Sequence, residues 1–333
     1  MNKFKNFIGI DISKLTFDVA LIKNSDKKST ISNVFSNDLE GFKDFASWLK
    51  KEKVKYGESL FCMEHTGVYG KLIASFIHKK NGALWVEMSL KIIRSLGIQR
   101  GKNDKLDAQR IAHYALRNEE DFVPFNVQRP ILEKIKHLLN AREILVQTKA
   151  KLKVQINELA RIDKCMAKDV STHLKKSLSA IQKDIEKIEN KIMEIIKADQ
   201  ELKRMFDLVT SVPGIGKITF YYLVYFTNEF KNYNTPKQLA CYCGVVPFEY
   251  TSGSSVKGRP KVHNMANKKM KKLLHTAALC AVTYYPEFKT YYKRKQEDKK
   301  NNMLILNNVR NKLVLRISAV IKNNKLYEPI KTA

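Results

Sequence analysis

Residues 131–200 contain neither proline nor glycine. Those two residues are the ones that end or kink helices, so a stretch this long without them restricts the chain to long helices. Within it, Leu174, Leu178, Ile181, Ile185, Ile188, Ile192 and Ile195 recur at alternating spacings of four and three. That repeat is the apolar seam of a coiled coil. An earlier, less regular stripe runs through Ile135, Leu138, Leu145, Leu152, Ile156 and Leu159. The pattern predicts two long helices broken near Asp163–Thr172, forming a coiled-coil hairpin or a dimer arm. An ordinary helical bundle is the plainer alternative. The heptads argue for a homo-oligomer, either dimer or tetramer.

The flanks of this middle region differ from it and from each other. Before it, strand and helix signals alternate. Phe7–Asp11 reads as a buried strand, and Thr16–Ile22 as its hairpin partner after a short turn. Residues 39–50 show a helical apolar face, 59–63 a buried run ending at Glu64, 69–80 a second helix, and 83–86 another strand. Asn103 is placed to cap a helix carrying Asp104, Asp107, Ile111 and Ala115. Such alternation predicts an α/β layer over residues 1–125. Pro124 and Pro130 bracket the boundary with the helical middle, 126–205. The remainder, 206–333, reads as mainly helical.

Charge separates the same regions. The 333 residues carry 61 Lys+Arg against 33 Asp+Glu, a net of +28. Residues 1–125 hold 21 basic and 15 acidic side chains, a net of +6, which leaves +22 for 126–333. A surplus of that size favours a polyanionic partner, either nucleic acid or an acidic membrane face. Lysine outnumbers arginine 49 to 12, a bias that AT-rich coding also produces, so where the charge sits matters more than its total. No apolar run approaches the ~20 residues needed to span a bilayer, so no membrane role is expected. The five cysteines are scattered and odd in number, and the N-terminus lacks a signal-peptide pattern. Both fit a reducing, cytoplasmic setting.

Three groups of residues could carry chemistry. Asp11 lies in the first strand, Glu64 ends a later one, and Asp104 and Asp107 share one helix face. Four such carboxylates can converge into an oxygen-only pocket for hard divalent ions, Mg²⁺ being the usual choice, with two ions clamping a phosphodiester. Each also has a plainer reading: Asp104 and Asp107 can simply favour a helix N-terminus, and Glu64 can be a surface charge. Asp11 is harder to dismiss, because a carboxylate inside an apolar strand needs a partner.

The second group is Val212-Pro213-Gly214-Ile215-Gly216, followed by Lys217. This is a helix-hairpin-helix pattern, in which Gly214 and Gly216 let backbone N–H groups approach a phosphate; a plain tight turn is the alternative. The third is the segment from Thr251 to Pro286, which has no acidic residue and carries Lys257, Arg259, Lys261, Lys268 and Lys269. It predicts a flexible basic loop and a basic helix suited to a nucleic-acid backbone. Ser252 in that loop could be a nucleophile, although a serine in a Gly/Ser segment usually makes a turn.

Together these segments resemble a known family. GIDISK, the segment Glu64-His65-Thr66-Gly67-Val68-Tyr69, and NDKLDAQRIA are similar to the DEDD transposases of bacterial insertion sequences, which include the Piv-type DNA invertases. SVPGIGKIT and CGVVPFEYTSGSSVKGRP resemble the second domain of the same family, in the same order. The resemblance implies a RuvC-like, RNase H-type N-terminal domain with Asp11, Glu64, Asp104 and Asp107 as metal ligands. It implies a serine nucleophile at Ser252, with Ser254 and Ser255 as neighbouring alternatives. It further implies a composite site built between subunits and a noncoding guide RNA. His65 departs from the family, which usually has a small residue there; it would crowd the pocket or add a donor.

The expected activity is therefore cutting and rejoining of DNA by an insertion-sequence transposase. A hydrolytic junction nuclease, needing only the carboxylates, and a site-specific invertase are the alternatives in the same area. A phosphotransferase of the actin type and a non-catalytic nucleic-acid-binding protein are further ones.

Overall fold

The computed structural model describes residues 3–65, 67, 69–95, 103–252 and 256–329. The chain divides into two compact units, residues 1–127 and 128–333.

The first unit is a five-stranded mixed sheet with helices on both faces. Strands β1 (Asn6–Ile12), β2 (Thr16–Lys23) and β3 (Asp26–Ser36) form an antiparallel meander. Helix α1 (Leu39–Lys51) leads to β4 (Ser59–Glu64), then α2 (Lys71–Lys79), β5 (Ala83–Glu87), α3 (Ser89–Ser95) and α4 (Asp104–Arg117). The strand order is β3-β2-β1-β4-β5, with β4 parallel to both β1 and β5.

Alternation along β1 sorts its side chains to two cores. Ile8 and Ile10 pack with Phe42, Phe45, Phe61 and Ile73 beneath α1 and α2. Phe7 faces the other way, with Leu60, Cys62, Trp85 and the α4 residues Ala108, Ile111 and Ala112. Asp11 shares the α4 face with Phe7 and Gly9 by the same alternation.

Most elements fall where the sequence places them; β3 does not. Its eleven residues are mostly polar, and only Phe35 is buried. It is an edge strand, held by its ladder to β2 and by Phe35, which packs on Phe17, Phe45 and Trp48, so periodicity had little to report.

The second unit begins with α5 (Pro130–Ile162) and α6 (Lys164–Ala198). The break between them is narrower than the sequence suggests. Asp163 alone leaves the helical conformation, and its carboxylate caps α6 by accepting from the N–H groups of Cys165 and Met166. Arg142 pairs with Glu189 at 2.8 Å, and Lys149 donates to Gln182. The step of seven from Arg142 to Lys149 is thus matched by seven back from Glu189 to Gln182, the register of an antiparallel hairpin.

The base of this hairpin is buried in the core of the unit, whereas farther out only Ala167 and Ile185 are buried. Leu132, Ile135 and Leu139 of α5 and Ile192 and Ile196 of α6 belong to one core with the helices that follow. Those helices are α7 (Gln200–Thr210), α8 (Lys217–Phe226), α9 (Pro236–Tyr242), α10 (Lys268–Tyr284), α11 (Pro286–Glu297) and α12 (Asn302–Asn323). Residues read as a flexible loop form a two-stranded antiparallel hairpin, β6 (Phe248–Ser252) and β7 (Val256–Lys261). No helix among the described residues is long and apolar enough to cross a membrane.

Candidate active site and nucleic-acid surface

The acidic group is assembled by one close packing. A Cβ built on Gly9 would stand 2.2 Å from the carbonyl oxygen of Ala108 and 2.3 Å from the nitrogen of Ala112. Only a glycine lets α4 ride that low on β1. Asp11 lies two residues beyond Gly9 on the same face, and Asp104 lies one turn before Ala108. The contact therefore sets the first turn of α4 against the end of β1.

Asn103 fixes where that turn begins. Its backbone is extended and its side chain accepts from the Lys105 N–H at 3.0 Å. Asp104 and Asp107 follow within the first turn, where the helix dipole favours negative charge. One carboxylate oxygen each from Asp11, Asp104 and Asp107 lie within 4.8 Å of one another. Asp107 also pairs with Arg110 at 2.6 Å.

Glu64 stands beside this trio but outside it. It ends β4, the parallel neighbour of β1, and its carboxylate accepts from the Ser89 hydroxyl at 2.6 Å. Its charge nevertheless reaches Asp11. Burial, then the charges of Glu64, Asp107 and Asp104, push the Asp11 carboxyl up to about 6, against a bond from the Ile12 N–H that works the other way. Asp18, opposite Asp11 in the β1–β2 register, is also raised, by burial and by Asp104. Three carboxylates whose charges oppose the ionisation of Asp11 make, with it, a site that a cation would relieve. The donors are all hard oxygens, and their spacing fits a small divalent ion.

His65 is exposed, and no His belongs to the trio. The sequence reading passed over Gly9, Asp18, Ser89 and Arg110. Gly9 and Asp18 carried a signal: Gly9 is a small residue two before Asp11 in an otherwise apolar strand, and Asp18 is an acid that pairs with Asp11 across the hairpin. Ser89 and Arg110 carried none that spacing could reveal.

The basic features of the second unit divide in two. Gly214 adopts φ +78°, and a Cβ there would meet the Ala277 carbonyl oxygen of α10 at 2.3 Å. Its need for glycine is thus met by helix packing. Gly216, the exposed N-cap residue of α8, has open space around it. Lys217 pairs with Glu189 of α6 at 2.8 Å. Lys269 pairs with Glu143 of α5 and lies 4.8 Å from the Tyr222 ring centroid. Burial opposes ionisation of Glu143, but the Lys269 bond holds it below the usual carboxylate range. Lys261 and Lys268, by contrast, are exposed.

Ser252 closes β6, its backbone opposite Val256, and Lys257 of β7 stands opposite Thr251. The side chains of Ser252, Lys257 and Arg259, and the whole of Ser254 and Ser255, lie outside the described residues.

A mixed-sheet unit that gathers carboxylates from a strand and a helix, followed in sequence by a basic helical unit, is consistent with the nuclease-like class of DEDD enzymes. Residues 8–162 match the DEDD transposase model of the IS110 type, and residues 206–293 match the transposase model of the IS116/IS110/IS902 family. The chain belongs to this transposase family, whose enzymes cleave and rejoin DNA. It is 26% identical over 328 residues to the pilin gene-inverting proteins of Moraxella bovis and Moraxella lacunata, covering 97% of this chain and 98% of each of those. It is 24% identical over 155 residues to an uncharacterised 43.6 kDa protein of insertion element IS110 from Streptomyces coelicolor, covering 46% of this chain and 37% of that one.

Proposed function

We propose that this transposase cuts DNA at a divalent-metal site formed by Asp11, Glu64, Asp104 and Asp107, and that Ser252 carries the strand between cleavage and rejoining. The observation that carries the reading is the meeting of Asp11, Asp104 and Asp107 within 4.8 Å, with Glu64 close enough to raise Asp11. The strand order β3-β2-β1-β4-β5, with α4 laid on β1, supports an RNase H-like fold of the RuvC type.

Mg²⁺ is the ion that suits this donor set, as one or two ions, and when bound it would polarise phosphoryl oxygens and stabilise displaced oxyanions. Asp11 from the strand, Asp104 and Asp107 from the helix, and Glu64, oriented by the Ser89 hydroxyl, would hold it. Ser252 Oγ attacks the scissile phosphorus, forming a phosphoserine ester and releasing a strand hydroxyl. A strand hydroxyl then attacks that ester, restores the serine and reseals the DNA. The family resemblance and the position of Ser252 near a basic hairpin tip support this role.

Gly216, Lys257, Arg259, Lys261 and Lys268 contact a phosphate backbone, of DNA or of an element-encoded guide RNA. The α7–turn–α8 unit serves as the helix-hairpin-helix element. Gly214, Lys217 and Lys269 shape and brace that surface. The α5–α6 hairpin acts as a coiled-coil arm in a homo-oligomer whose subunits combine acidic and serine sites, acting on the nucleoid in the cytoplasm. Inversion of a DNA segment is a second reading, favoured by the full-length similarity to proteins named for inverting a pilin gene.

Ser252→Ala and Asp11→Asn test the scheme in a strand-exchange assay. Both should be inactive, and only the wild type should yield a protein–DNA adduct that survives denaturation. Full exchange by Ser252→Ala removes the covalent step, and cutting without any adduct points to a hydrolytic nuclease. Sequencing nucleic acid that co-purifies with the protein tests the guide RNA.

A further inference from the structure

At the end of the sheet that bears the acids, several apolar side chains are left uncovered. Leu39 is 76% exposed, Leu15 75%, Leu72 60% and Tyr69 44%. Leu15 lies in the β1–β2 turn and Tyr69 in the β4–α2 connection, while Leu39 opens α1 and Leu72 lies in the first turn of α2. Asn37 ties these connections together. Its backbone N–H donates to the Leu15 carbonyl at 2.8 Å, and its Nδ2 donates to the carbonyls of Ser13 at 3.1 Å and Tyr69 at 3.2 Å. The β1–β2 turn is closed again by the Ser13 hydroxyl, which donates to the Thr16 carbonyl at 2.9 Å. The surface is therefore built on fixed backbone. Ser13 follows Asp11 by two residues and Tyr69 follows Glu64 by five, at most about 7 Å and 18 Å of chain.

Phosphates cannot cover exposed leucines; base faces can. In a stacked duplex those faces are hidden, so the surface matches a strand whose bases have left the stack. Lys14 precedes Leu15 and Lys71 precedes Leu72. Cation and apolar group thus alternate, as phosphate and base do along a single strand.

We propose that this edge is a base-stacking platform, on which Tyr69, flanked by Leu15, Leu39 and Leu72, grips unstacked nucleobases of the strand being cut. The setting rests on the strand-cleavage reading above; the binding step does not. Tyr69 is then a positioning residue that presents the scissile phosphate to Asp11 and Glu64. The surface reads base faces rather than sequence, because every base has one.

The test uses the full-length protein and a single-stranded thymidine oligomer carrying one 5-iododeoxyuridine. Irradiation should give an adduct that mass spectrometry maps to Tyr69, and Asp11→Asn should give the same adduct while failing to cut. That separates this proposal from the catalytic one. In a second arm, affinity for the thymidine oligomer is compared with that for an abasic strand of equal length and charge. Tyr69→Ala should lower the preference for bases roughly tenfold, and Tyr69→Trp should keep it. The salt dependence should not change, since no phosphate contact is removed. Absence of a Tyr69 adduct together with an unchanged base preference in Tyr69→Ala overturns the proposal. So does a loss of self-association, without loss of base preference, in Leu15→Ser or Leu72→Ser, which would assign the surface to a second copy of the chain.

Discussion

Gly9 and Ala108 are in such close apposition that a methyl group on the glycine would stand 2.2 Å from the alanine carbonyl oxygen. Gly9→Ala must push α4 off β1, and overpacking of this kind costs about 1–3 kcal/mol or more. The shift also separates Asp104 and Asp107 from Asp11. Urea denaturation should show the loss of stability. A thermal-shift titration with MgCl₂ should show that the stabilisation seen in the wild type is lost, even where the variant is folded.

Asp11 gives the metal-free protein a defined pH dependence. Its carboxyl titrates at about 6 in the folded chain, above its ordinary value of 3.8. Between those values the folded state holds the proton more tightly than the unfolded state. Ionising Asp11 therefore costs stability as pH rises from about 4 to 6, and the cost stays in full above that. Asp11→Asn removes it. Solvent screening at a half-buried carboxylate limits the gain to about 1 kcal/mol. Chelator-treated Asp11→Asn should melt above the wild type at pH 8 and level with it near pH 4, while being unable to cut DNA.

Ser89 donates to Glu64 at 2.6 Å and has no other role in the proposed chemistry. Ser89→Ala should leave the fold intact and free the Glu64 carboxylate to turn. A drop in strand cleavage of about tenfold is expected, with the DNA affinity unchanged. Higher Mg²⁺ should recover part of the loss, which kinetics across a metal titration would reveal.

Lys268 and Lys269 are adjacent in sequence but differ in surroundings. Lys268 is exposed, whereas Lys269 is paired with Glu143 and set over Tyr222. Lys268→Ala should reduce the salt dependence of DNA binding by about one phosphate contact. Lys269→Ala should instead lower the melting temperature, and a double-mutant cycle with Glu143→Gln should return a coupling of about 1 kcal/mol.

Arg129 binds Asp199 at 2.7 Å and also Glu229, whose side chain is completely buried. Lys231 reaches the same Glu229 carboxylate at 2.8 Å. The loop holding it has three successive non-glycine residues at positive φ, Asn228, Glu229 and Phe230. Removing the guanidinium leaves a buried carboxylate short of its main counter-charge. Arg129→Ala should cost about 3 kcal/mol in urea denaturation, and Arg129→Lys less.

What the sequence alone determined follows from local rules. The absence of Pro and Gly over 131–200 dictated long helices, and Asn103 marked the start of α4. Asp11 stood out because an acid in an apolar strand is costly. The two-part family resemblance, carried by short motifs, indicated a transposase. Tertiary structure decided the rest, because it depends on which surfaces meet. Strand pairing made β3 out of a mostly polar segment. Close packing, invisible to periodicity, brought Asp104 and Asp107 to Asp11 through Gly9, and left Glu64 to Ser89. Lysines identical in composition were divided by their neighbours. Lys217 and Lys269 found carboxylates on the α5–α6 hairpin, while Lys261 and Lys268 remained exposed. A charge is set by residue type, but what it binds is set by distance, and distances between remote residues exist only once the chain is folded.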